Sequence, residues 1–178
     1  MTILTSVCQL VVLPLQGICQ GGQPIISYNY GARNDDRVKD AFRCQLTVCA
    51  IFGTLAWAVI MLAPRMFTGL FTNDTALAEY AAWALRIYLA GIFAFSFQIC
   101  CQQSFMALGQ AKISLLLACL RKIILLIPLI FLLPNFFENK VFAVFLAEPI
   151  SDILAALVTT IAFFSQFRKI MQKGRNNK

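Results

Sequence analysis

Two carboxylates interrupt the last long apolar segment of the sequence. Glu148 and Asp152 are four residues apart in FLAEPISDILAALVTT, so a helix places them on one face. If that helix crosses a bilayer, a rise of ~1.5 Å per residue puts Asp152 near the middle of the hydrocarbon. Two carboxylates at that depth cannot both ionise cheaply, which makes them candidates for coupling to a proton or another cation. The alternative is a structural pair that neighbouring hydroxyls, amides or Arg121 satisfy.

Glutamines mark a second candidate site, in the first apolar segment. Four of them recur at intervals of seven, four and three residues, which is the spacing of one helical face: Gln9, Gln16, Gln20 and Gln23. An unpaired amide is costly in hydrocarbon, so this face must contact other helices or water. Interhelical hydrogen bonds and a substrate pathway both account for the pattern. In the second case Gln16, Gln20 and Gln23 are the candidate pathway residues.

A third group of polar residues lies in FSFQICCQQSFMALG. Gln98 and Gln102 are four residues apart and have Phe95, Phe105 and Met106 close by in the sequence. Amides among aromatic and thioether groups suit a cavity for large, flat, amphipathic cations. Packing inside a helix bundle explains the same residues, and both interpretations stay open.

Other chemistry has no support in the sequence. The seven cysteines show no CxxC spacing and the chain has no histidine, so no zinc framework can be recognised. A Ser-His-Asp set and a phosphate-binding loop are also missing. We therefore predict a protein that is not an enzyme and that has no resident metal or cofactor.

The composition indicates a chain that resides in lipid. Hydrophobic residues make up 60% of it and charged residues only 13%, with a mean hydropathy of +0.75, whereas soluble domains are about a quarter charged. A helix needs about 20 apolar residues to cross the hydrocarbon core. We predict an all-α, polytopic membrane helix bundle in residues 1–167, with spans at 2–30, 44–63, 80–108, 113–134 and 141–167.

The distribution of positive charge predicts the orientation of this bundle. Twelve of the fifteen basic residues follow the first span, mark the third connection or lie in the tail at 168–178, and three lie on the opposite side. The positive-inside rule then puts the C-terminus and the basic tail in the cytoplasm of a cell whose membrane holds the chain. The charge is thus explained by topology and predicts no nucleic-acid partner.

Five spans with a cytoplasmic C-terminus place Met1 outside the cell. Nothing basic precedes the first span to hold that orientation. We therefore expect preceding helices to be missing, which makes the chain part of a larger protein.

Several motifs resemble the multidrug and toxic compound extrusion (MATE) family. The similarity covers nearly all of residues 10–165, in the family's order, through PLQGICQGGQPIISYNYGARNDDRVKDAFR, SFMALGQAK, RKIILLIPLIFLLP and FLAEPISDILA. The resemblance implies a twelve-helix antiporter of two six-helix lobes, of which this chain supplies helices eight to twelve, a partial C-terminal lobe. Such proteins export cationic, amphipathic drugs against protons or sodium.

The chain departs from the family pattern in two ways. The first lobe and the seventh helix are absent, so we expect the fragment alone to be inactive and the missing N-terminal lobe to be its partner. Sodium-coupled members also carry an acid in the tenth helix, and residues 80–108 contain none, which leaves the coupling ion open between H⁺ and Na⁺. The alternative functions are a lipid or lipid-linked oligosaccharide flippase of similar build and a truncated product that does not transport.

Overall fold

The computed structural model describes residues 2–72, 74–137 and 139–176, with side chains as far as residue 167. Its regular structure is entirely helical over those ranges, so the predicted all-α class is confirmed. In chain order the helices are α1 (Thr2–Gly31), α2 (Asp35–Leu62), α3 (Pro64–Thr68), α4 (Thr75–Tyr88), α5 (Ile92–Ala107), α6 (Ala111–Cys119), a π-helical segment (Leu120–Leu126), α7 (Ile127–Phe136) and α8 (Lys140–Asn176).

Four stretches of helix are long and apolar enough to cross a membrane by themselves, at Thr2–Gly31, Asp35–Leu62, Ala111–Phe136 and Lys140–Phe167. A fifth span forms if α4 and α5 are taken as one unit, because the two helices are bent by 51° at a short break. The described chain therefore has four to five candidate spans, in agreement with the predicted helix bundle.

Helix α5 lies at the centre of the bundle. It packs against α1, α2 and α8, and its side chains are buried on nearly all sides, with Ile92, Cys100 and Phe105 at 1% exposure or less. A helix that is apolar around its whole circumference is buried rather than amphipathic. Helix α1 in contrast buries only one face, through residues such as Val7 and Leu15. Its other face points away from the described bundle.

Aromatic contacts show which connections share an end of the bundle. Phe42 at the start of α2 stacks on Phe163 near the end of α8, with ring centroids 4.5 Å apart, and Phe105 at the end of α5 lies 5.0 Å from Phe163. Trp83 in α4 and Phe142 at the start of α8 meet 6.2 Å apart at the other end. The first and third connections are therefore at the same end as the last turns of α8.

Two irregular segments meet at the middle of α8. At the break between α4 and α5, a Cβ atom on Gly91 would lie 2.9 Å from the Cα of Pro149, so only glycine allows this approach. On another side, the hydroxyl of Ser151 donates a 3.1 Å hydrogen bond to the backbone oxygen of Arg121 in the π-helical segment. Wide π turns leave backbone oxygens free for such partners. The break and the π-helical segment thus enclose the part of α8 that carries its two acids.

Candidate functional site

The two acids of α8 meet a guanidinium inside the bundle. Both Nε and Nη2 of Arg121 lie 2.6 Å from Oδ1 of Asp152, and Nη2 also lies 3.3 Å from Oε1 of Glu148. The side chains of Arg121, Asp152 and Glu148 are 12%, 6% and 13% exposed, in that order. Charge-assisted hydrogen bonds of this kind are the strong ones, and low solvent exposure leaves them little screened.

Two further contacts complete the site. Lys122 places its Nζ 3.3 Å from Oε1 of Glu148, so that acid has two cationic partners. The Cζ of Arg121 also lies 3.9 Å from the centroid of the Phe95 ring, within the range of a cation–π contact. We call Arg121, Lys122, Glu148 and Asp152 the charge cluster. Its two positive and two negative groups sum to zero, which is what burial in a low-dielectric interior favours.

Arg121 and Lys122 lie deeper than the charge pattern suggests. The sequence analysis counts both among the basic residues of the third connection, but they lie about ten residues inside the span that begins at Ala111, or ~15 Å at the α-helical rise. The guanidinium of Arg121 is paired inside the bundle and does not contribute to the orientation signal, whereas the side chain of Lys122 is 56% exposed. The alternative that Arg121 satisfies the acids agrees with this geometry, and a coupling role of Glu148 and Asp152 stays a prediction.

The two glutamines of α5 lie within the helix bundle. Gln98 is 1% exposed, and its Oε1 has no hydrogen-bond partner among the described residues. Gln102 donates to the backbone oxygen of Ser114 at 3.3 Å, and the Ser114 hydroxyl donates to the backbone oxygen of Gln102 at 3.2 Å. This reciprocal pair joins α5 to α6. The contacts of Gln102 thus favour packing over an open pathway within this chain.

The glutamines of α1 lie to one side of its core face. Gln20 is exposed and Gln16 and Gln23 are half-buried, and none of the three makes a side-chain hydrogen bond to any described residue. The residues that α1 buries, such as Leu15, Cys19 and Ile26, have no exposed surface or almost none. The structure thus presents a row of amides on the outside of the described bundle.

Sequence reasoning missed one group of residues. Cys19, Cys49 and Cys100 come from α1, α2 and α5, and their sulfur atoms all lie within 4.8 Å of one another. No CxxC spacing relates them, so the sequence indicates no metal framework that contains them. Only the burial pattern of each helix could have placed all three on faces that meet.

Comparison with known proteins gives the family. The model of the MatE family matches residues 1–132. The multidrug export protein MepA of Staphylococcus aureus strain NCTC 8325 is 25% identical over 152 residues, which are 84% of this chain and 33% of MepA. The MepA of Staphylococcus saprophyticus is 22% identical over the same length. The chain thus spans about a third of the length of these curated relatives.

Solved structures show the same fold. The MATE multidrug transporter DinF-BH, solved as a complex with a ligand, aligns with a TM-score of 0.82 and 32% identity, over 93% of this chain and 36% of that one. A MATE protein in the bent conformation aligns with a TM-score of 0.90 and 18% identity, over 98% and 38% of the two chains. This multi-pass membrane chain therefore belongs to the MatE family, whose members are transporters rather than enzymes, as the resemblance of its motifs predicted.

Proposed function

We propose that this chain is part of a secondary active antiporter that exports cationic, amphipathic compounds against protons or sodium. Membership of the MatE family and the multidrug export function named for MepA support the proposal. The chain matches only about a third of MepA, so transport requires a further part of the bundle, which we propose to be an N-terminal lobe. Alone, the chain provides one wall of the transport pathway.

The observation that carries this proposal is the row of amides on α1. Side chains facing hydrocarbon should be apolar, because a polar group without a partner is costly there. The row of Gln16, Gln20 and Gln23 instead runs along a helix that is long enough to span the membrane. A water-filled cavity or a second lobe covers this face in the assembled transporter. Amide oxygens in such a cavity are acceptors for the N–H groups of an organic cation.

The charge cluster is the coupling site of this proposal. An incoming proton or sodium ion neutralises Glu148 or Asp152 and so competes with Arg121 for the carboxylate oxygens. Glu148 is paired less closely, because both of its cationic partners lie at 3.3 Å, whereas Arg121 lies 2.6 Å from Asp152. Arg121 thereby links the binding of an ion to the contact between the π-helical segment and α8.

The flippase alternative is less well supported by the same geometry. A pyrophosphate-linked lipid needs cationic side chains that are available in a cavity. Arg121 is held by Asp152 and Glu148, and Lys122 is paired with Glu148. Of the three basic residues that lie within the spans predicted from the sequence, Arg121 and Lys122 are thus paired with acids and only Arg86 has no ion pair among the described residues. So few cationic groups favour export of a cation over a pyrophosphate-linked lipid.

The first test changes the α1 amides in a complete transporter that contains this chain. Gln20→Leu should alter which drugs are exported, because it removes an acceptor from the pathway and leaves the core face untouched. Drug resistance of cells, measured over a panel of cationic and neutral compounds, gives the readout. Thr54→Val is the control, since its hydroxyl bonds only the backbone of its own helix. An unchanged drug profile at equal expression would refute a pathway role.

The second test separates coupling from packing. In vesicles, Asp152→Asn should abolish dye transport driven by an imposed proton or sodium gradient, because an amide cannot exchange an ion. Downhill equilibration of the dye without a gradient should persist. Glu79→Gln is the control, an exposed acid that pairs with Arg65 at the bundle surface. Full gradient-driven transport by Asp152→Asn would leave that acid with a structural role only.

A further inference from the structure

Three buried thiols form a cluster that the proposed transport mechanism does not use. Cys19, Cys49 and Cys100 are each 0% exposed. The sulfur atoms of Cys19 and Cys49 are 3.5 Å apart, and all three sulfur atoms lie within 4.8 Å of one another. The residues come from three different helices, so the cluster is formed by the fold.

The spacing of the sulfur atoms fits three bonds to one central atom. Sulfurs that each lie ~2.3 Å from a common centre, the Zn–S distance, are about 4 Å apart when the arrangement is planar. They come closer when it is pyramidal. The separations within the cluster agree with such a centre, and thiolates as soft ligands select soft partners.

A polar side chain beside the cluster provides an independent observation. Gln45 is 6% exposed, and its Nε2 donates to the sulfur of Cys100 at 3.7 Å. Its Oε1 has no hydrogen-bond partner among the described residues. That oxygen approaches α1 at Gly22 so closely that a Cβ there would collide with it. The structure thus holds an unsatisfied acceptor next to three thiols.

A cavity lies beside this position. It has a volume of about 270 Å³, lies between α1 and α2, and is lined by Gln45, the exposed Cys44 and residues around Gly22. Gln45 therefore touches the cavity and also contacts Cys100. A small neutral molecule in the cavity thus meets the side chain that contacts Cys100.

The uncharged surroundings of the three thiols favour a bound centre that carries no net charge. No charged side chain of the described residues forms an ion pair or hydrogen bond with the three sulfurs. A net charge in such an interior is strongly unfavourable. Three thiolates around a monovalent or divalent ion keep a negative charge, but around a trivalent centre they are neutral.

We propose that Cys19, Cys49 and Cys100 form a trithiol site for trivalent arsenic, which enters as uncharged arsenous acid. Three As–O bonds break and three As–S bonds form. Each thiol proton leaves with one hydroxide as water, so nothing is oxidised or reduced. The bound arsenic links α1, α2 and α5 covalently, and it thereby restrains the helix that carries the row of amides.

The test uses the whole 178-residue chain, purified in the reduced state in detergent, with sodium arsenite as the probe. Intact mass should increase by one arsenic atom less three hydrogens, and X-ray absorption should show three sulfur neighbours. Cys49→Ala and Cys100→Ala should each lose this adduct. The matched controls Cys8→Ala and Cys119→Ala, which remove half-buried cysteines outside the cluster, should keep it.

A second readout does not depend on variants that fold. Arsenite should protect Cys19, Cys49 and Cys100 of the unmodified chain from N-ethylmaleimide in mild denaturant, and it should leave Cys44 reactive. An adduct with only two sulfurs, or one retained by Cys49→Ala, would overturn the proposal. So would displacement of arsenic from these thiols by equimolar zinc or copper(I).

Discussion

Arg121 connects the π-helical segment to the middle of α8 and to α5. Its guanidinium contacts Asp152, Glu148 and the Phe95 ring, and its backbone oxygen accepts from Ser151. Removing one member of a buried ion pair leaves the other charge uncompensated, and that costs more than the intact pair contributes. The cluster therefore makes stability sensitive to single changes and less sensitive to paired ones.

We predict that Arg121→Ala destabilises the chain by about 3–5 kcal/mol, because it strands Asp152 in the interior. Equilibrium unfolding in mixed micelles, followed by circular dichroism, measures the effect. The paired change Arg121→Met with Asp152→Leu should recover most of the loss, since Lys122 still neutralises Glu148. Lys122→Ala is the control, because that side chain is 56% exposed. Equal losses for Arg121→Ala and Lys122→Ala would contradict a buried pair.

The sequence alone predicted that the two acids share a helical face, but it did not predict the full charge cluster. The four-residue spacing of Glu148 and Asp152 is a local pattern, so one helical face could be predicted. The partner Arg121 lies 31 residues before Asp152, and no periodicity relates the two. The sequence therefore offered Arg121 only as one of several possible partners of the acids, beside hydroxyls and amides.

Glycine permits the closest helix contact around the charge cluster. The Cβ position of Gly91 is 2.9 Å from the Cα of Pro149, 3.0 Å from its oxygen and 3.1 Å from the Cβ of Asp152. Two of these three atoms belong to the backbone of α8 and cannot rotate away. The break between α4 and α5 can therefore approach α8 only without a side chain.

We predict that Gly91→Ala destabilises the chain by about 1–3 kcal/mol through overpacking. Thermal unfolding in detergent measures the change. Gly17→Ala is the matched control, because nothing lies within 4 Å of its Cβ position in α1 and alanine favours a helix over glycine. A neutral Gly91→Ala would show that the break is free to move away from Pro149.

Hydropathy predicted the apolar centres of the helices better than their ends. The predicted span at 44–63 belongs to α2, which begins at Asp35. The charged segment before the span is also helical and contains the pairs Lys39–Asp36 and Arg43–Asp40, which weakly support it. The predicted span at 80–108 is divided at Leu89–Gly91. An apolar run contains no signal for a bend that depends on contact with α8.

The two ends of the bundle define its orientation at the scale of the whole molecule. The contacts among Phe42, Phe105 and Phe163 hold the first and third connections at one end together with the last turns of α8. Most basic residues of the chain lie in or next to the first connection, the third connection and the C-terminal tail. By the positive-inside rule we propose that this is the cytoplasmic end.

We predict that epitope tags inserted at Asn34 and Gln110 react with antibodies only after the cells are permeabilised. A tag at Thr72 should react in intact cells, because the second connection lies at the opposite end with Arg65 and Glu79. The complete transporter is the protein to test, with a tag at Asn139 as a second external control. The reverse pattern would place the C-terminus outside the cell.

The π-helical segment Leu120–Leu126 has a further consequence for the geometry of the bundle. A π turn contains one residue more than an α turn, and each residue of an α-helix rotates the chain by about 100°. If the same residues were wound as an α-helix instead, everything after the segment would be turned by about that angle. Leu133 would then leave its cluster with Ala143 and Ala147 on α8. The wide turn is therefore what lets Arg121 face the acids while α7, further along the chain, still faces the same helix.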